Sequence, residues 1–466
     1  MQPVVVFELN EVPWRVLDWW VADHPQSAIA ELLPRATQWT SVAPDEGHLS
    51  PWVTWPTVHR GVPNTVHGIG HFGQDTADAD AVAPTWWRRA IDAGRSVGLF
   101  GLLHTNELPP DVDRYRFFVP DTFAPSADTH PAALEPFQAF NLSMARASAR
   151  NVSTSIDMGA AGRFLLSAPQ LGLRPATVGR LVRQLVDERR RPHTRVRRRS
   201  FQSVLAFDLF AHQLRKTRPD AAAFFTNHVA SAMHRYWAAT FPADYDPETF
   251  GFDDEWIATW SSELAEAMAH ADRMVARLRS HCDATGSLLL VASSMGQQAA
   301  QGTPVGRQLY LRDVAAFVRG AGIDPALVER KPAMDPHVNV RIDDPETLDA
   351  FRARLAGLRV GGREIVWSEG EHGFFSLEFG QADDAIGDIT VDGEARTPEA
   401  LGFEIVEIED EVASTGYHVP EGVLLAYDPS VTTSPDTDRT AIPTTAIASM
   451  ILDRLDVPSE HATRAT

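Results

Sequence analysis

PVVVFELNE, residues 3–11, decides how the rest of the chain is read. The run through Leu9 is apolar apart from Glu8, the pattern of a parallel strand buried on both faces. Three similar runs follow: the strand after the helix in WWRRAIDAGRSVGLFGL (86–102), AAAFFTNH (221–228) and SLLLVASSMG (287–296). Residues 254–280 carry Trp256, Ile257, Trp260, Leu264, Met268, Val275 and Leu278 at helical spacing. Strands alternating with helices predict an α/β fold on a mostly parallel sheet. Ligands bind beyond the carboxyl ends of such strands. The residues to watch are therefore Asn10-Glu11, His104-Thr105, Asn227-His228 and Ser294-Met295.

The 466 residues suffice for one large α/β domain with insertions or for two ordinary domains. Forty-two basic against 62 acidic residues give a net charge of −20, which disfavours nucleic acid and anionic membrane as general partners. One cysteine, Cys282, excludes an intramolecular disulfide and a thiolate metal cluster. There is no basic leader before the first apolar run and no uncharged apolar stretch of spanning length. A cytoplasmic location in a bacterium-like host is expected.

The pattern divides the chain as follows: 1–144, first part of the core; 145–215, a polar, helical cap or insertion; 216–329, core continued; 330–410, a smaller α+β subdomain; 411–456, last part of the core; 457–466, a loose tail. The insertion centres on ERRRPHTRVRRRS (188–200), read as a solvated basic segment offsetting an acidic body rather than as a phosphate site. The subdomain is marked by the short strand-like pieces VNVRI, REIVWSE and GFEIVEI.

Five stretches then follow one another in a telling order: LNE (9–11), WPTVHRGVPNTVHGI (55–69), NHVASAMHRYW (227–237), SSMGQ (293–297) and STGYHVPEGVLLAYDP (414–429). Together they resemble the alkaline phosphatase superfamily, in its type I phosphodiesterase/nucleotide pyrophosphatase branch. GLFGLL, VP and FAP between Gly98 and Pro131 add to the resemblance. It implies an alkaline phosphatase-like, mostly parallel sheet flanked by helices. It also implies two divalent ions over the strand ends and a Ser or Thr nucleophile attacking a phosphoryl group.

Carried over residue by residue, the ligand set is degenerate. The family's first-strand Asp is Asn10 here, flanked by Glu8 and Glu11. His234 and the late His418 match ligands, with Asn227 or His228 as a further one. The family's Ser-Asp-His-Gly is Ser293-Ser294-Met295-Gly296, and a thioether is a poor ligand for Zn²⁺ or Mg²⁺. Counting back from His67, the nucleophile position falls on Pro51, with Ser50 beside it; Thr54, about one helical turn further on, sits in Thr-Trp-Pro. Ser50 and Thr54 both stay open as the attacking hydroxyl or as the group that positions a water.

The expected chemistry is that of a divergent phosphoesterase or phosphodiesterase acting on a small-molecule or glycan phosphoester. It would use at most one divalent cation, zinc first, with a cation-free pocket as the alternative. Glu8 or Glu11 would serve as general base. Asn10, Ser294, Gln297 and His104 would contact substrate. Two other readings stand beside it: a binding or regulatory protein on a dead scaffold, and a transferase acting on a glycan. His67 is expected to close a turn and His59 to pack beside Trp55; a ligand from Glu371-His372 of the subdomain is only the minor alternative to an ordinary surface role. Oligomeric state is not legible.

Overall fold

The computed structural model describes residues 1–147, 158–246, 251–300, 307–333, 336–379, 386–407 and 414–459. Most of the tail expected at 457–466 lies outside them.

The first strand, β1 (Val4–Leu9), is buried along its whole length because it runs through the middle of the main sheet. It pairs in parallel with β5 (Ala221–Thr226) on one side and β6 (Leu288–Ala292) on the other. With β2 (Thr37–Val42), β3 (Val97–Phe100) and β4 (Phe117–Val119), the eight-stranded order is Thr440–Pro443, β2, Glu421–Tyr427, β6, β1, β5, β3, β4. Only Glu421–Tyr427 runs against its neighbours. The mostly parallel α/β sheet expected from the apolar runs is therefore present.

Strand alternation divides the core into two layers. Val5, Phe7 and Leu9 face a large cluster with Phe207, Phe210, Met268 and Leu278 from the helices Arg198–Thr217 and Glu263–Thr285. Val4 and Val6 face Trp52, Trp55 and Val58 of the helix Pro51–Arg60. Glu8 follows the same alternation, so its carboxylate lies inside the second layer, 2.9 Å from His59. Both residues are fully buried.

The Arg-rich stretch is helical: Met158–Leu171, Pro175–Arg190, then Arg198–Thr217. Its arginines are partly spent on structure. Arg197 grips Glu263 through Nε and Nη2 of one guanidinium edge, and Arg198 grips Glu188 through the same pair of nitrogens. A third apolar cluster lies between residues 309 and 403. Two four-stranded sheets and the helix Pro345–Gly357 surround it, so this part of the chain has a core of its own.

Candidate metal centre

The carboxyl end of β1 turns sharply. Glu11 adopts a left-handed backbone (φ 61°), a costly state for a residue with a side chain. Ser293 holds the turn, donating to the Leu9 carbonyl at 2.6 Å and accepting from the Val12 amide at 3.2 Å. The result aims a buried carboxylate at two histidines. Glu11 Oε2 lies 3.0 Å from His234 Nε2 and 3.3 Å from His418 Nε2.

Each histidine reaches this point from a different element. His234 lies on the helix His228–Thr240, and His418 on the short strand Gly416–Val419. Their other ring nitrogens face carbonyls: His234 Nδ1 lies 2.8 Å from Gly416 O, and His418 Nδ1 lies 2.8 Å from Leu49 O. A carbonyl only accepts, so each Nδ1 carries the proton. In a neutral ring, Nε2 then presents its lone pair to the carboxylate. Two lone pairs facing an anion repel unless a proton or a cation lies between them. Carbonyl-anchored imidazoles of this kind are the usual support for metal-bound histidine. A tetrahedral zinc with bonds of about 2.0–2.1 Å sets its donor atoms about 3.3 Å apart, close to the two separations from Glu11. Three donors of this kind would fit a divalent cation and leave a tetrahedral site short of one ligand.

The three groups are also coupled electrostatically. Burial acts to raise the Glu11 pKa, yet the two histidines hold it well below the usual carboxylate range. Burial acts to lower that of His418, and Glu11 with the Leu49 carbonyl reverses this and raises it.

Neutral amides surround the carboxylate. Asn10 Nδ2 donates to Glu11 Oε1 and to Asn227 Oδ1, both at 2.7 Å, while Asn10 Oδ1 accepts from Trp55 Nε1 at 2.7 Å. The Asn10 oxygen, the atom that would ligate an ion, is thus occupied by an indole. Gln297 Nε2 donates to Glu11 Oε2 and to the Ala230 carbonyl. Asn10 and Gln297 therefore brace Glu11, and Asn227 joins through Asn10.

Other sequence candidates go elsewhere. His228 Nδ1 lies 2.7 Å from Thr226 Oγ1 and its Nε2 lies 3.2 Å from Ala267 O; burial pushes it down to about 4. His104 Nε2 lies 2.7 Å from Trp52 O, and burial pushes it to about 4 as well. Glu8 is committed to His59. Thr54 is buried, its hydroxyl 2.8 Å from that of Ser294. Ser50 is half-buried and caps the helix Pro51–Arg60, accepting from the Trp52 amide at 3.3 Å. It directly follows Leu49, the residue that anchors His418. His67 closes the turn at Ile69. Glu371 and His372 group with Asp78 at the surface.

Sequence reading treated Glu11 as a base and missed its place between the histidines. It also missed Tyr417 and His48, whose rings lie 4.7 Å and 6.5 Å from that of His418. Tyr417 is the variable position of the Thr-Gly-x-His match, which was a usable signal.

No family model and no curated protein matches the chain. Among solved structures, murine ectonucleotide pyrophosphatase/phosphodiesterase 5 is similar over 99% of this chain and 96% of that one, at 9% identity and a TM-score of 0.42. Phosphonoacetate hydrolase from Sinorhizobium meliloti 1021, in complex with phosphonoformate, is similar over 97% and 96%, at 14% identity and a TM-score of 0.42. Human ectonucleotide pyrophosphatase/phosphodiesterase 5 is similar over 100% and 97%, at 9% identity and a TM-score of 0.42. Likeness this distant carries nothing about substrate.

Proposed function

We propose that the chain is a phosphoester hydrolase built around one divalent cation held by Glu11, His234 and His418. The convergence of two carbonyl-anchored imidazoles on one buried carboxylate carries this reading. When bound, the cation supplies Lewis acidity to a phosphoryl oxygen and lowers the pKa of a coordinated hydroxyl or water. The chain supplies the rest. Glu11 fixes the charge of the site, and Asn10 and Gln297 keep its oxygens from rotating. Gly416 and Leu49 set the tautomers of the histidines.

Ser50 would supply the hydroxyl that attacks phosphorus or positions an attacking water; supporting it, the preceding Leu49 carbonyl anchors His418. Ser50 opens the helix Pro51–Arg60, at the positive end of that helix's dipole. Thr54 sits a turn inside that helix with its hydroxyl committed to Ser294 and the Ser50 carbonyl.

The test is turnover of bis(p-nitrophenyl) phosphate by zinc-loaded protein. Glu11→Gln and His418→Ala should each lower it at least about 10²-fold, the scale of losing one electrostatic stabiliser. Turnover that survives both substitutions contradicts the reading.

A second reading, a binding protein on the same scaffold, draws on the amide network. Asn10, Asn227 and Gln297 carry no charge, and Asn10 has its hydrogen-bonding groups engaged within the protein, so a second cation has no anionic holder there. Small-molecule binding with no turnover under any metal would favour it.

A further inference from the structure

The helix Pro175–Arg190 is inside out. Its buried positions are polar: Thr177, Gln184 and Glu188. Gln184 donates to the Thr194 carbonyl at 2.7 Å and to Glu188 at 3.0 Å, and Glu188 is the partner of Arg198. The apolar residues Val178, Val182, Leu185 and Val186 are all exposed, Val182 at 55%. Their spacing of four, three and one is one continuous helical stripe. Leu165 and Leu166, on the preceding helix Met158–Leu171, are exposed too, Leu166 at 85%. Single exposed apolar residues need no explanation, but a stripe turned away from a satisfied polar face does.

Charge identifies what covers it. Residues 174–199 hold ten arginines against Asp187 and Glu188; Arg197 and Arg198 are spent on Glu263 and Glu188, but Arg174, Arg183, Arg189, Arg190, Arg191 and Arg195 are exposed, in a chain whose net charge is −20. Exposed Arg183 and Arg190 flank the stripe on one side, and Arg189 continues it at the C-terminal end. The net charge argues against an anionic membrane as a general partner; this segment reverses the sign locally. A second copy docking stripe to stripe would bring these arginines toward their counterparts. Other exposed large apolar residues, such as Val66, Val82, Leu327 and Val431, lie on different short elements or loops and build no stripe along one helix.

We propose that the helices Met158–Leu171 and Pro175–Arg190 dock the protein on an anionic lipid surface. The valine and leucine side chains enter the headgroup boundary, and the arginines extend their guanidinium groups to the phosphates. This mode needs no spanning helix, and no helix among the described residues is long and apolar enough to cross a membrane.

The test is co-sedimentation of the full chain with vesicles of equal parts phosphatidylcholine and phosphatidylglycerol, and with vesicles of phosphatidylcholine alone. The expected result is partitioning onto the anionic vesicles only. Binding should weaken at least about tenfold in Val182→Glu and in Leu166→Glu, and similarly in the pair Arg183→Glu and Arg190→Glu. All four substituted residues are exposed, so unchanged circular dichroism and melting confirm that each variant folds. Absence of binding by the native chain overturns the proposal, as does binding indifferent to all these variants. A native dimer in light scattering that Val182→Glu converts to monomer also overturns it, in favour of a second copy as the occupant.

Discussion

Glu11 Oε2 and His234 Nε2 stand 3.0 Å apart, and the far nitrogen of the same imidazole faces the Gly416 carbonyl. The histidine is therefore held at one end by backbone and offers its other end to a carboxylate. Gly416 has no room for a side chain: a Cβ there would lie 2.7 Å from Gln297 Oε1 and 2.8 Å from the Met233 carbonyl. Gly416→Ala should displace the His234 anchor and the Glu11 brace together, costing about 1–3 kcal/mol by overpacking. Second-sphere damage of this kind should also lower zinc affinity about 10–100-fold. Urea melts and zinc titration of the variant check both effects; unchanged affinity would show that the carbonyl does not set the ligand.

Ser50 and Thr54 should separate cleanly. Ser50→Ala removes a helix cap, worth about 1 kcal/mol, and should abolish most turnover. Thr54→Val breaks a buried hydroxyl pair and should leave turnover within a few-fold while lowering stability by about 1–3 kcal/mol. Paired activity assays and urea melts decide this. The reverse pattern would make Thr54 the working hydroxyl.

Glu8 and His59 form a fully buried pair, and Glu8 Oε2 finds no hydrogen-bond partner. His59→Ala leaves a buried carboxylate alone and should cost about 3–5 kcal/mol. Replacing both by apolar residues, Glu8→Leu with His59→Leu, should cost much less, since the desolvation penalty goes with the charges. A double-mutant cycle by urea unfolding measures the coupling. Near-additive losses would contradict it.

Asp121 follows β4 and is fully buried, and that burial pushes its carboxyl up to about 7 despite backbone donors at Phe123 and Thr105. The ordinary value is 3.8, so between about 4 and about 7 the folded state holds a proton that the unfolded chain releases. Its contribution to stability is thus present at low pH and lost as pH rises through the window. Asp121→Asn cannot ionise, so it should gain stability relative to the native protein from pH 5 to pH 8. Comparing the two proteins cancels the buried histidines, such as His270, which is pushed down to about 2 and destabilises the fold on acidification. A constant difference across that range would contradict the shift.

Much of the sheet was legible because burial on both faces leaves a compositional trace. β1, β5 and β6 are runs of apolar residues, and each was found within a residue or two of its bounds. The helical pattern over 254–280 proved to be two helices, Asp254–Trp260 and Glu263–Thr285, broken at Ser261-Ser262. The site was less legible. Asn227 and His228 were both weighed as companions of His234, although a helix of 3.6 residues per turn brings round a residue seven away and not one six away. Asn227 does join the network, and His228 faces the helix Glu263–Thr285. The place of Glu11 between the histidines was beyond the sequence because its direction depends on a left-handed backbone that no local pattern announces. Residues 188–200 read as a solvated basic segment, and the apolar stripe on the helix Pro175–Arg190 went unremarked because composition does not say which face turns inward.

Metal stoichiometry of the tag-free protein bears on the central claim most directly. Elemental mass spectrometry after exposure to excess Zn²⁺, Mg²⁺ or Mn²⁺ and removal of free ion should find one tightly held ion per chain. That ion should be lost in Glu11→Gln and in His418→Ala, since a structural change elsewhere leaves the three donors in place. No retained ion under any condition, or retention unaffected by both substitutions, would contradict a metal centre at Glu11, His234 and His418.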